Sequence, residues 1–223
     1  IEQHGGVVDK YIGDAVMATP GAPAHCDDAA AKALQAALAM QTALAQLNAE
    51  LAARGLAPLT TGIGINSDRV VVGNMGSKSR LNYTAIGDGV NLASRLESLS
   101  KRYGSRVVVS DSTRELAPDY LYLPLDTVRV KGKQQPVAIF EPLLPVREAA
   151  PELVAAVTAF AEFLRLWRLG DWQSAATQLE HYAELARQQP LLANTLATLY
   201  RQRLQQASHQ PPADWDGIYS YDS

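Results

Sequence analysis

A carboxylate at the apex of a tight turn, a lysine four residues before it, and an asparagine and an arginine one helical turn apart have the types and spacing to do chemistry together. Val7 to Met17 reads as strand, Gly13-Asp14 turn, strand, because β-branched and aromatic residues flank a dipeptide suited to a reversal. At that apex Asp14 can meet a hard divalent cation without burying its charge unpaired; a turn-forming aspartate with no ligand fits the same pattern. Lys10 points to the same face about 13 Å away along an extended strand, so one small ligand group cannot contact both. Taken alone, a strand lysine is a solvated charge. Asn91 and Arg95 stand at i and i+4 and share one helix face, which suits a joint role at a ligand and equally a polar surface stripe. Lys131 and Lys133 flank Gly132 in a basic loop of the kind that is usually just solvated. Asp88 reads as a helix N-cap, and His4, His25, His181 and His209 are scattered without metal spacing.

The elements that must position these groups follow from periodicity. Asp27-Asp28 offers a cap to an alanine-rich helix from Ala29 to Ala53, with Leu34, Leu38, Met40, Leu44, Leu47 and Leu51 on the half predicted to face the core. Short strands are expected at Gly62 to Ile65, Val70 to Val72 and Leu81 to Ile86. A second helix runs from about Asp88 to Tyr103 with Val90, Leu92, Ala93, Leu96 and Leu99 inward. Further strands are expected at Val107 to Val109, Tyr120 to Leu123, Val128 to Val130 and Val137 to Phe140. This mixture predicts an α+β or α/β sandwich, sheet on one side and helices on the other. Pro142 to Pro151 reads as a linker. Three helices follow, Glu152 to Leu169, Trp172 to Arg187 and Leu191 to Gln206, and Gln210 to Ser223 is expected to be extended or loosely docked. The Leu-Gly-Asp turn between the first two, with Ala175, Leu179 and Tyr182 after it, resembles a tetratricopeptide hairpin, though a plain helical hairpin explains it as well.

The chain has 223 residues and a formal charge of only -3, which suits an ordinary globular protein and gives no reason to expect a nucleic-acid partner. No apolar run approaches the roughly 20 residues needed to cross a bilayer, and no signal peptide opens the chain. A single cysteine, Cys26, cannot form an intramolecular disulfide, so a cytoplasmic location fits best. Neither a G-x-x-x-x-G-K-[ST] loop nor a G-x-G-x-x-G turn between strand and helix is present.

Three strings nonetheless stand in order: Asp9-Lys10-Tyr11-Ile12-Gly13-Asp14-Ala15-Val16-Met17-Ala18, then Tyr83-Thr84-Ala85-Ile86-Gly87-Asp88-Gly89-Val90-Asn91-Leu92-Ala93-Ser94-Arg95-Leu96-Glu97, then Val130-Lys131-Gly132-Lys133. With Val70-Val71-Val72-Gly73-Asn74-Met75-Gly76-Ser77 between the first two, they resemble the class III adenylate and guanylate cyclase catalytic domain over roughly Ile1 to Pro142. The resemblance implies an α+β, ferredoxin-like cyclase sandwich at 1–142, a linker at 143–151, a helical tail at 152–207 and an extended terminus at 208–223. It makes Asp14 one of two aspartates holding two Mg2+ (or Mn2+) ions. Lys10 and Thr84 become the base-selecting pair, with glutamate replacing the lysine in guanylate cyclases; Asn91 orients the ribose, Arg95 stabilises charge at the phosphorus centre, and Lys131 or Lys133 reaches the triphosphate. The implied substrate is ATP, the product cyclic AMP, and the assembly a head-to-tail homodimer with shared active sites, which separates the roles of Lys10 and Asp14. A catalytically silent cyclase-homology module that dimerises or binds nucleotide, and a guanylate cyclase, are the alternatives.

Two departures from the family pattern bear on these expectations. The first metal aspartate belongs to a strand expected several tens of residues before Ile1, so this chain is expected to be inactive alone. Asp68 stands where the family usually has glycine, which bears on loop conformation and dimer contacts. The linker and helical tail, closing on Trp215-Asp216-Gly217, are similar to those of bacterial cyclases with an upstream CHASE-type sensor and membrane helices. That likeness implies a membrane-anchored parent with its output in the cytoplasm, any membrane contact being made by segments outside this chain.

Overall fold

The computed structural model describes residues 1–77, 79–130, 135–209 and 215–221. Two antiparallel hairpins carry the first strings: β1 (Gly6–Ile12) with β2 (Ala15–Pro20), and, after helix α1 (Ala29–Ala53) and strand β3 (Ile63–Ile65), β4 (Val71–Ser77) with β5 (Arg80–Ile86). The first turns at Gly13, whose φ of 64° is the left-handed conformation that a glycine adopts without a Cβ penalty. Helix α2 (Asp88–Tyr103) follows, then β6 (Val107–Ser110), α3 (Asp111–Leu116), β7 (Tyr120–Val130) and β8 (Val137–Pro145). Helices α4 (Pro151–Leu169), α5 (Trp172–Ala186) and α6 (Thr195–His209) and a last strand β9 (Tyr219–Tyr221) complete the described chain. The larger sheet has the order β3-β6-β8-β7-β9, with β3 parallel to β6 and β9 parallel to β7.

The α+β class holds, but helices cover both faces of this sheet rather than one. Along β6 the side chains alternate between the two sides, as strand geometry requires. Val107 and Val109 pack with Ala30, Leu34 and Ala37 of α1, whereas Val108 joins the larger core of α2, β7, β8 and the three tail helices. That core centres on Phe160, Phe163, Tyr182 and Tyr200, all fully buried. Only the first part of α1 meets the predicted burial. Its second half rises past the sheet, where Leu47 is 40 % exposed and Asn48 is held by a pair of hydrogen bonds to the backbone of Leu59.

Two glycines set the height of α2. A Cβ on Gly64 would lie 2.1 Å from the carbonyl oxygen of Ala93 and 2.3 Å from the amide of Glu97, and one on Gly62 would lie 1.9 Å from Ser100 Oγ. Strand β3 therefore packs flush against the helix backbone, and no other residue fits there without moving the helix.

Several local expectations need correction. Helix α2 begins at Asp88 itself, and its N-cap is Gly87 (φ 150°), so Asp88 is a first-turn acid beside the helix N-terminus and not the cap. The expected linker at Pro142 is strand as far as Pro145. Prolines are tolerated there because β8 pairs with β6 only through Ile139 and Phe140, and beyond them its ladder runs on one side, to β7. A short helix, α3, stands where none was expected; Ser110 caps it, accepting from Thr113 N–H. Helix α6 starts at Thr195, later than Leu191. The described part of the C-terminus is firmly docked: β9 adds to the sheet edge, and Trp215 packs edge-to-face with Trp167 and Trp172 at 4.9 and 5.0 Å while donating to the Trp167 carbonyl.

Candidate active site

Residues 74 apart in sequence meet where the two hairpins touch. Lys10 Nζ donates to Thr84 Oγ1 at 2.9 Å, and Thr84 Oγ1 donates in turn to Asp9 Oδ2 at 2.6 Å. The Ala85 amide donates to the same carboxylate oxygen at 3.4 Å, and Lys10 Nζ lies 3.5 Å from Asp9 Oδ1. Adjacent strand residues normally point to opposite faces, so Asp9 and Lys10 should not share a partner. They do so because β1 carries a bulge: Val8 faces Ala18 and Lys10 faces Met17, leaving Asp9 as the extra residue. Asp9 and Thr84 are nearly covered, at 7 % side-chain and 8 % residue exposure, while Lys10 retains 36 % of its side-chain surface. Opposite Thr84 in the β4–β5 ladder stands Gly73, where a Cβ would meet only the Met75 methyl at 3.9 Å. Paired residues project to the same face, so the missing side chain leaves open space beside the Thr84 hydroxyl.

The model of the adenylate and guanylate cyclase catalytic domain matches residues 1–140, the stretch that holds both hairpins, α2 and most of the sheet. The chain belongs to this family. An adenylate cyclase of Anabaena cylindrica is 42 % identical over 149 residues, covering 63 % of this chain and 29 % of that protein. Among solved structures, the guanylyl cyclase Cya2 is 36 % identical (TM-score 0.60, covering 66 % of this chain and 74 % of that one), and the adenylyl cyclase CyaB from P. aeruginosa is 32 % identical (TM-score 0.59, 67 % and 77 %). The chain spans under a third of the length of the curated relatives it matches first. Cyclases of both nucleotides thus share this fold at similar identity, and overall likeness does not choose between them.

Within the cyclase domain the remaining predicted residues are placed as follows. Asn91 is exposed and Arg95 half-buried on one face of α2, which follows β5 directly and is held by its flush contact with β3. Its first turn is further fixed by Asn66, which donates to the Gly89 carbonyl at 3.1 Å. Asp68, the departure from the family pattern, rests against Gly89, where a Cβ would lie 2.5 Å from its own; the loop and the helix start are packed against each other. Asp14 is exposed at the hairpin apex. Among the described residues no group of three His, Cys, Asp or Glu side chains could hold a metal ion. An exposed apex carboxylate such as Asp14 suits a cation such as magnesium, which keeps waters and is held by one or two carboxylates together with substrate phosphates. Lys131 and Lys133 lie outside the described residues; β7 ends at Val130, immediately before them.

The residue missed in the sequence is Asp9. It sits inside the first string, but strict alternation assigns it to the face opposite Lys10, and no local signal announces the bulge. Gly62, Gly64 and Gly73 were also passed over, since a glycine's role as a gap appears only when its neighbour is known.

Proposed function

We propose that the protein carrying this chain is an adenylate cyclase, forming cyclic AMP and pyrophosphate from ATP by attack of the ribose 3′-hydroxyl on the α-phosphate. The observation that carries the reading is the Lys10–Thr84 contact, a donor and a hydroxyl presented side by side from two hairpins. An adenine edge offers a ring nitrogen that accepts and an amino group that donates, which this pair complements. Asn91 orients the ribose, and Arg95 donates to the phosphoryl oxygens as charge builds in the transition state. Asp14 holds Mg2+ or Mn2+, with a second aspartate completing a two-ion site; the ions supply charge neutralisation at the triphosphate. Lys131 or Lys133 contacts the same phosphates.

The hairpins also support the homodimer. Tyr11, Ile12 and Val16 on the first, and Val71, Leu81, Tyr83 and Ile86 on the second, are large apolar side chains left 44 to 75 % exposed around the site. A second copy seated there covers them and brings Asp14 of one protomer to the Lys10, Thr84, Asn91 and Arg95 of the other.

The test is product formation by the full-length enzyme with magnesium or manganese: cyclic AMP from ATP much faster than cyclic GMP from GTP. Equal rates with the two nucleotides would refute the assignment of Lys10 and Thr84, and no turnover of either would leave the silent regulatory module standing.

A further inference from the structure

Resting on the adenine reading above, we propose that Asp9 is a specificity-determining positioning residue, which fixes the hydrogen-bond direction of Thr84 so that its hydroxyl faces the base as an acceptor. A threonine hydroxyl has one proton and two lone pairs, and left to rotate it satisfies a donor or an acceptor equally. Here the proton has an assigned destination. Asp9 Oδ2 lies 2.6 Å from Thr84 Oγ1, against 3.5 Å for the competing Ala85 carbonyl, and an ionised carboxylate can only accept. Lys10 occupies one lone pair at 2.9 Å. What remains for a ligand is one lone pair on Thr84 and the free ammonium protons of Lys10, an acceptor beside a donor.

That pattern matches adenine, whose 6-amino group donates next to an accepting ring nitrogen. It repels guanine, whose 6-carbonyl would face the Thr84 lone pair and whose ring N–H would face the ammonium. Thr84 alone does not discriminate in this way, because a hydroxyl free to turn would donate to the guanine carbonyl. The bulge at Val8–Lys10 is what brings the carboxylate to the same side as Lys10, and the open space left by Gly73 is where the base edge has room. The Ala85 amide at 3.4 Å and Lys10 Nζ at 3.5 Å hold the Asp9 carboxylate in place beside the Thr84 hydroxyl.

The experiment compares Asp9→Ala and Asp9→Asn with the unaltered full-length enzyme, using kcat/KM for ATP and GTP. Equilibrium binding of 3′-deoxy-ATP and 3′-deoxy-GTP, which lack the attacking hydroxyl, gives a second readout. Asp9→Ala is expected to lower the ATP-to-GTP ratio about tenfold in both, the scale of one hydrogen bond turned from attractive to repulsive. Asp9→Asn, whose amide can still accept, is expected to fall between. In a Thr84→Val background the Asp9→Ala effect on the ratio should vanish, since Asp9 acts through that hydroxyl. A fall in both nucleotides with an unchanged ratio would mean that Asp9 only supports the hairpin, and would overturn the inference while leaving the adenylate cyclase reading intact. An unaltered enzyme that prefers GTP would instead overturn that reading, and this inference with it. Should Asp9→Ala not fold, Asp9→Leu, close in size and unable to accept, carries the same test, and an unmoved ratio there overturns the inference.

Discussion

The two ends of this chain solve the problem of burying polar groups in opposite ways. In the tail, Arg203 and Asp126 form an ion pair at 2.6 Å with side chains only 4 and 1 % exposed, closed over by Tyr103, which donates to Asp126 at 2.6 Å, and by Tyr221, which accepts from Arg203. A bulge in β7 at Leu125 frees a carbonyl that Tyr200 of α6 takes up at 2.8 Å. At the hairpins a bulge also gathers a carboxylate, a cation and a hydroxyl, but Lys10 stays partly exposed. The tail's network has partners from α2, β7, α6 and β9 and leaves little for a ligand. The hairpins' network leaves the Lys10 ammonium partly open to solvent, and an accessible donor of this kind is what a binding site needs.

The comparison predicts that variants of the tail cost stability while variants around the hairpins cost function. The largest effect is expected from Arg203→Ala, which leaves Asp126 buried and uncompensated and should lower unfolding free energy by about 3–5 kcal/mol, read from chemical denaturation. Arg95→Ala should lower turnover by about 10²–10³-fold with little change in substrate affinity or in stability. A pure loss of affinity would contradict its transition-state role.

Glu141 sharpens the contrast through pH. Burial pushes its carboxyl up to about 7 from 4.5, although the Arg106 amide, donating at 3.0 Å, pulls the other way. The charge of Arg106 acts in the same lowering sense, and Tyr182 of α5 lies near enough to feel the carboxylate. The folded chain therefore holds this proton more tightly than the unfolded chain. Its contribution is full below pH 4.5 and is lost as pH rises through about 7, on the order of 3 kcal/mol in all. Glu141→Gln should flatten that part of the stability-against-pH curve, and an unchanged slope would show that the proton is not bound differently in the two states. The smallest effect on the monomer is expected at the hairpin surface. Tyr11→Ser with Ile12→Ser should change unfolding free energy by no more than about 0.5 kcal/mol each while weakening self-association in sedimentation.

Local signals were enough for the Gly13-Asp14 hairpin, the extents of α1 and α2 and the aromatic character of the tail helices, since each depends on residues within a few positions of one another. The resemblance to cyclases made Lys10 and Thr84 a base-selecting pair; the structure adds that the two side chains lie 2.9 Å apart. Pro142 and Pro145 misled because proline argues against a strand in general, and only the pairing shows that β8 is open on one side there. The short β9 carries no periodic signal of its own. Its order comes from the edge of β7 and from Arg203 stacking on Tyr219 at 3.9 Å.

Sequence alone determined the family, the strand and helix content and the residue types available for chemistry, because these follow from short-range patterns and from three ordered strings. Tertiary structure decided what those residues do to one another. The bulge that turns Asp9 toward Thr84, the two glycines that let α2 lie flush on β3, and the tail's attachment to the far end of that helix each depend on chain segments distant in sequence coming within a few ångströms. Hydrogen-bond direction and steric exclusion act only at that range, and no pattern along the chain records them.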